Sequence, residues 1–146
     1  MKKGFTTLEL LLSIAIIAII MATSIPFYFS FYAKSKNESL TKEILSSIYR
    51  TKLKATASEN DDNWGLAVAK DSKITIFRGT NYTTRNQLYD EVVDIESGIT
   101  FTSNPEIIFA KSSGLTDTAK TISFTDSNNN AITINIDTYG NASLPQ

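Results

Sequence analysis

The chain divides by pattern into an apolar run, an amphipathic stretch and a series of short alternating segments. From Leu10 to Ala33 no residue is charged, and about 20 apolar residues at ~1.5 Å each cross a ~30 Å hydrocarbon core. Leu10, Leu11, Leu12, Ile14, Ile16, Ile17, Ile19 and Ile20 leave no polar face, which predicts a helix in lipid or packed among other helices. Pro26 removes a backbone donor and is expected to kink that helix. The rings that follow it, Phe27, Tyr28, Phe29, Phe31 and Tyr32, suit an interfacial belt.

Residues 34–58 keep a helical period. Leu40, Ile44 and Ile48 recur at i, i+4 and i+8, with Leu45 and Leu53 nearby. The segment is expected to continue the first helix as an amphipathic half that lays one stripe on a core. The turn-rich ENDDN, residues 59–63, ends it.

After that the period changes to two. WGLAVAK, KITIFRG, DEVVDI, GITFTS, EIIFA, TISFTD and AITINID are β-branched or alternating runs separated by Gly, Asn, Asp and Ser, and they predict six or seven strands. KDSK (70–73) and DSNNN (126–130) are expected as hairpin turns. The polar stretch 79–90 is expected to cross the surface between strand pairs. The fold class is therefore α+β: a long N-terminal helix, transmembrane over residues 5–33 and amphipathic over 34–58, packed on a small antiparallel β-sheet head spanning 59–146.

Composition narrows the chemistry. There is no cysteine and no histidine, which excludes disulfides, thiolate nucleophiles, Ser-His-Asp triads and the usual zinc sites. The net charge of −1 gives no general attraction to nucleic acid. Arg50, Lys52 and Lys54 offer a basic strip, but phosphate binding needs several cations converging on one face, so nucleic acid is not expected as a partner. Residues 126–137 space oxygens somewhat like a calcium loop, with Asp126, Asn128, Asn130 and Asp137, yet Ala131 stands where that loop needs a sharp-turn Gly. Glu59, Asp61 and Asp62 read as a solvated acidic loop. Asp90 and Glu91, adjacent in a strand, point to opposite faces and make no acid/base pair. No enzyme, cofactor or metal is expected.

Glu9 is the residue that the pattern does not explain. An unpaired charge in hydrocarbon costs at least ~2.5 kcal/mol, so an acid inside the apolar run calls for a partner, unless it snorkels to the headgroups. An ordinary secretory signal, with Lys2 and Lys3 as its basic end and Ala22-Thr23-Ser24 as a cleavage site, is the rival reading of the same stretch.

The combination Lys2, Lys3, Gly4, Phe5, Thr6, Leu8 and Glu9 ahead of an apolar helix resembles the N-terminus of type IV pilins and type II secretion pseudopilins. The resemblance implies cleavage by prepilin peptidase after Gly4, with residues 1–4 as the leader, and N-methylation of Phe5. It further implies that Glu9 pairs with the N-terminal amine of a neighbouring subunit and sets the assembly register. A weaker resemblance, on Gly65, Phe77, Gly79, Ile99, Phe109, Gly114 and Gly140, links the head to GspH/FimT-type minor pseudopilins. Together these imply a structural minor pseudopilin supporting protein secretion, or alternatively a minor pilin for DNA uptake or adhesion. The implied partners are other pilin or pseudopilin subunits, the inner-membrane assembly platform and the cytoplasmic membrane. The implied location is a single pass through the inner membrane, N-terminus cytoplasmic and head outside, with later incorporation into a pilus or pseudopilus.

Overall fold

The computed structural model describes residues 4–69, 73–95, 99–103, 105–126 and 129–144, with side chains throughout except at 24–27, 29, 30, 33, 69 and 126. Helix α1 spans Thr7–Thr56, and the chain divides into two compact units, Met1–Ser39 and Leu40–Gln146. The final turns of α1 thus belong with the strands. Their inward stripe is Leu40, Ile44, Ile48 and Ala55, with Thr51 fully buried between the last two. Leu53, expected near this stripe, is instead 67% exposed. Thr51 occupies the inward position three residues after Ile48, and its hydroxyl donates to the Ser47 carbonyl at 2.7 Å, so its burial leaves no polar group unmet.

Among the described residues the second unit holds eight strands: β1 Trp64–Ala69, β2 Lys73–Arg78, β3 Glu91–Asp94, β4 Ile99–Phe101, β5 Glu106–Phe109, β6 Lys120–Asp126, β7 Ala131–Ile136 and β8 Ala142–Ser143. They form two antiparallel sheets, ordered β3-β2-β1-β5 and β4-β6-β7-β8. One core joins α1 to the inward faces of both, with Trp64, Leu66, Ile76 and Phe109 from the first sheet and Ile122, Phe124, Ile134 and Ile136 from the second.

The outward face of the first sheet carries a smaller apolar cluster. Gly65 lies so close to the Phe77 ring that an added Cβ would stand 2.3 Å from its Cζ. The absent side chain is the space the ring fills. Tyr82 meets Phe77 edge-on at 5.5 Å between centroids, and its amide donates to Glu106 Oε1 at 2.7 Å. Segment 79–90 was expected to cross between strand pairs. It instead folds onto the first sheet and returns as β3 beside β2.

Two further expectations are corrected. The single small sheet of the head is two four-stranded sheets, because β5 returns to β1 while β4 pairs with β6. The transmembrane half is overturned as well: among the described residues no helix is long and apolar enough to cross a membrane. A single-pass inner-membrane placement, with the N-terminus cytoplasmic and the head outside, therefore has no support.

Candidate assembly surface

The first turn of α1 is built by Thr6. Its hydroxyl accepts from the Glu9 amide at 3.3 Å, satisfying one of the four amides that a helix start leaves without partners. Threonine followed three residues later by glutamate is the capping-box spacing. Glu9 thus has a local role, since an acid in the first turn also faces the positive end of the helix dipole. Gly4, Phe5 and Thr6 precede the helix without regular structure. Among the described residues, chain neighbours aside, nothing lies within 4 Å of the position a Gly4 Cβ would take, and Phe5 is 81% exposed. Pro26 falls within the bounds of α1, but its side chain lies outside the described residues. Lys2 and Lys3 also lie outside them.

Past the first turn, every large apolar side chain from Leu8 to Met21 is exposed by half or more. The hydroxyls among them turn inward: Ser13 donates to the Glu9 carbonyl at 2.8 Å, and Thr23 to the Ile20 carbonyl at 3.0 Å. Among the described residues nothing pairs with the Glu9 carboxylate. Full burial of a Leu, Ile or Met side chain yields ~1.5–3 kcal/mol. Covering this run would therefore yield on the order of 10 kcal/mol before ordering costs.

The other end of α1 is fastened to the strands. The Ser112 amide donates to the Ala55 carbonyl at 2.9 Å, closing one of the helix's terminal acceptors, and Ser58, at φ 53°, ends the helix in the left-handed region. The Trp64 indole donates to the Glu59 carbonyl at 2.9 Å, and the Lys54 ammonium sits 4.5 Å from the ring centroid. Lys54 bridges Glu59 and Glu91, each at 2.9 Å, and Arg50 also pairs with Glu91. Desolvation opposes the charged forms, but these contacts outweigh it: Lys54 is held above its ordinary pKa and Glu91 below.

The proposed basic strip is thereby dispersed. Arg50 and Lys54 face carboxylates, while Lys52 donates to Asn141 Oδ1 at 2.9 Å. The Arg85 Nε–H is shared between the two Asp90 carboxylate oxygens, at 3.0 and 2.8 Å, and the guanidinium stacks 3.7 Å from the Tyr82 centroid. The acidic loop is paired too, Asp61 with Lys111 and Asp62 with Arg78. Of the calcium-like spacing, Asn128 lies outside the described residues and Ala131 opens β7. Asp137 accepts from the Asn141 amide at 2.7 Å and from its side-chain nitrogen at 3.2 Å, contacts that hold its carboxyl below the usual range. No group of acids able to hold a metal ion occurs among the described residues.

Three of the positions carrying the weaker resemblance meet in space. A Cβ on Gly140 would stand 2.6 Å from the Gly114 carbonyl oxygen and 2.9 Å from the Phe109 ring. Sequence reasoning missed the Thr6 cap, although the Thr6-x-x-Glu9 spacing carries it. It also missed the Arg85–Asp90 clamp, for which no periodic signal exists. No protein-family model, no curated protein and no solved structure matches the chain.

Proposed function

We propose that this chain is a structural filament subunit of the pilin or pseudopilin type, joined to other subunits through the N-terminal part of α1 and supporting protein secretion. The observation that carries the reading is the exposed apolar run from Leu8 to Met21, in which the Glu9 carboxylate, without a partner among the described residues, sits at the first turn. Monomeric proteins rarely expose contiguous apolar patches larger than a few hundred Å², so a surface of this kind calls for a protein partner. Prepilin peptidase cuts between Gly4 and Phe5 and methylates the new amine, a reading in keeping with the open, non-helical backbone there. Glu9 then pairs with the Phe5 amine of a neighbouring subunit. Opposite charges at ~4 Å gain about 4 kcal/mol at an effective dielectric of ~20, before desolvation is subtracted. The main effect is register, because a subunit slipped along the filament leaves both charges unpaired. An assembly platform and the other subunits supply the remaining machinery.

Mass spectrometry of the protein from its native cells tests the processing. A chain beginning at methylated Phe5 is expected. A chain beginning at Met1 or at Ile25, in cells with an active prepilin peptidase, refutes it.

A further inference from the structure

The two sheets differ in what they present outward. The first buries Phe77 under Tyr82, whereas the outward face of the second is open and lined by hydroxyls. Its rows follow the strand register. Thr100 lies beside Thr125, which lies beside Ala131. Thr102 lies beside Ser123, which lies beside Thr133, and Thr121 lies beside Asn135, which lies beside Ser143. Thr100, Thr102, Thr121, Asn135 and Ser143 are exposed, and Ser123, Thr125 and Thr133 are half-buried. Not one of these positions is charged or carries a large apolar side chain, although roughly 25% of residues in ordinary globular domains are charged.

The polar groups are held in place by one another. Thr121 donates to Asn135 Oδ1 at 3.2 Å, Ser123 and Thr133 share a contact at 3.4 Å, and Thr102 donates to the Ser123 carbonyl at 3.0 Å. Each hydroxyl oxygen keeps acceptor capacity, and the Asn135 amide keeps donors. The repeat is about 4.8 Å across the strands and about 6.8 Å along them.

We propose that this face binds a neutral polysaccharide. The absence of cations disfavours nucleic acid and anionic polymers. The absence of aromatic and large aliphatic anchors disfavours a protein hot spot. A pre-ordered array of uncharged donors and acceptors matches the hydroxyls of a neutral sugar chain, and repeated weak contacts along such a polymer add through multivalency. The inference does not depend on the filament reading, because the face belongs to the strands and not to the N-terminal part of α1.

The test is retention of the full-length chain, dispersed in mild detergent, on insoluble cellulose, chitin, starch and β-1,3-glucan, with phosphocellulose as an anionic comparison. Retention on at least one neutral polymer is expected, at least tenfold weaker in the Thr121→Glu/Asn135→Glu double variant and unchanged in Val92→Glu on the first sheet. Fluorescence of the single, buried Trp64 reports that each variant is folded. Should the double variant fail to fold, Thr100→Glu, on an edge strand, replaces it. Failure to bind any of the neutral polymers, retention on phosphocellulose alone, or equal retention of the folded outer-face variants overturns the proposal.

Discussion

Replacement of Gly140, in the turn between β7 and β8, by alanine is expected to destabilise the second unit strongly. The residue sits at φ 71°, a region that costs an L-residue ~1–2 kcal/mol. Its new Cβ would also stand 2.6 Å from a backbone oxygen, that of Gly114, and 2.9 and 3.1 Å from two atoms of the fully buried Phe109 ring. Neither neighbour is the free end of a flexible side chain. Overpacking of this kind costs ~1–3 kcal/mol, so the sum is about 2–5 kcal/mol against a typical domain stability of ~5–15 kcal/mol. Urea unfolding followed by Trp64 emission reads the change. With a mid-range slope of ~2 kcal/mol per molar, the midpoint falls by roughly 1–2.5 M. A midpoint unchanged from that of the parent chain would show that the turn at Gly140 is not held against Gly114 and Phe109.

Arg85→Ala leaves Asp90 partly buried without its guanidinium, since the two side chains are only 14% and 13% exposed; a loss of about 1.5–3 kcal/mol by urea titration is expected, and no loss would mean that the clamp does not hold segment 79–90. Glu91 has a folded-state pKa below its ordinary value of 4.5, so the stability it contributes is present above that value and lost as pH falls through the lower, folded pKa. The urea midpoint should fall over that acid range, and Glu91→Gln should lower the neutral-pH midpoint while flattening its acid dependence; an identical pH profile in the variant would count against the Arg50–Glu91–Lys54 contacts.

Local periodicity made much of the second unit legible. Each of the seven alternating runs contains a strand, since alternation exposes one face and buries the other whatever the partner is. β8 escaped because Ala142–Ser143 is too short to show a period. The division into two sheets escaped for a different reason. β5 joins β1 across an interval of nearly forty residues, and no local pattern encodes which strands pair. In α1 the positions Leu40, Ile44 and Ile48 were readable as the inward stripe, whereas Leu53 misled because hydrophobicity alone does not fix helix phase. Glu9 was recognisable as out of place, but its place in the Thr6 cap went unread. The spanning half of the helix was inferred from an uncharged run, yet among the described residues no helix is long and apolar enough to cross a membrane.

The central claim, assembly through the exposed run of α1, is tested most directly by cross-linking in the native cells. The chain has no cysteine, so Ile16→Cys supplies its only thiol, on a side chain that is 50% exposed in the isolated chain. The account predicts that a short amine- and thiol-reactive cross-linker joins Ile16→Cys to another filament subunit, and that adding Glu9→Val sharply reduces that product by removing the register contact. An Ile16→Cys chain that stays uncoupled in cells assembling the filament would contradict it.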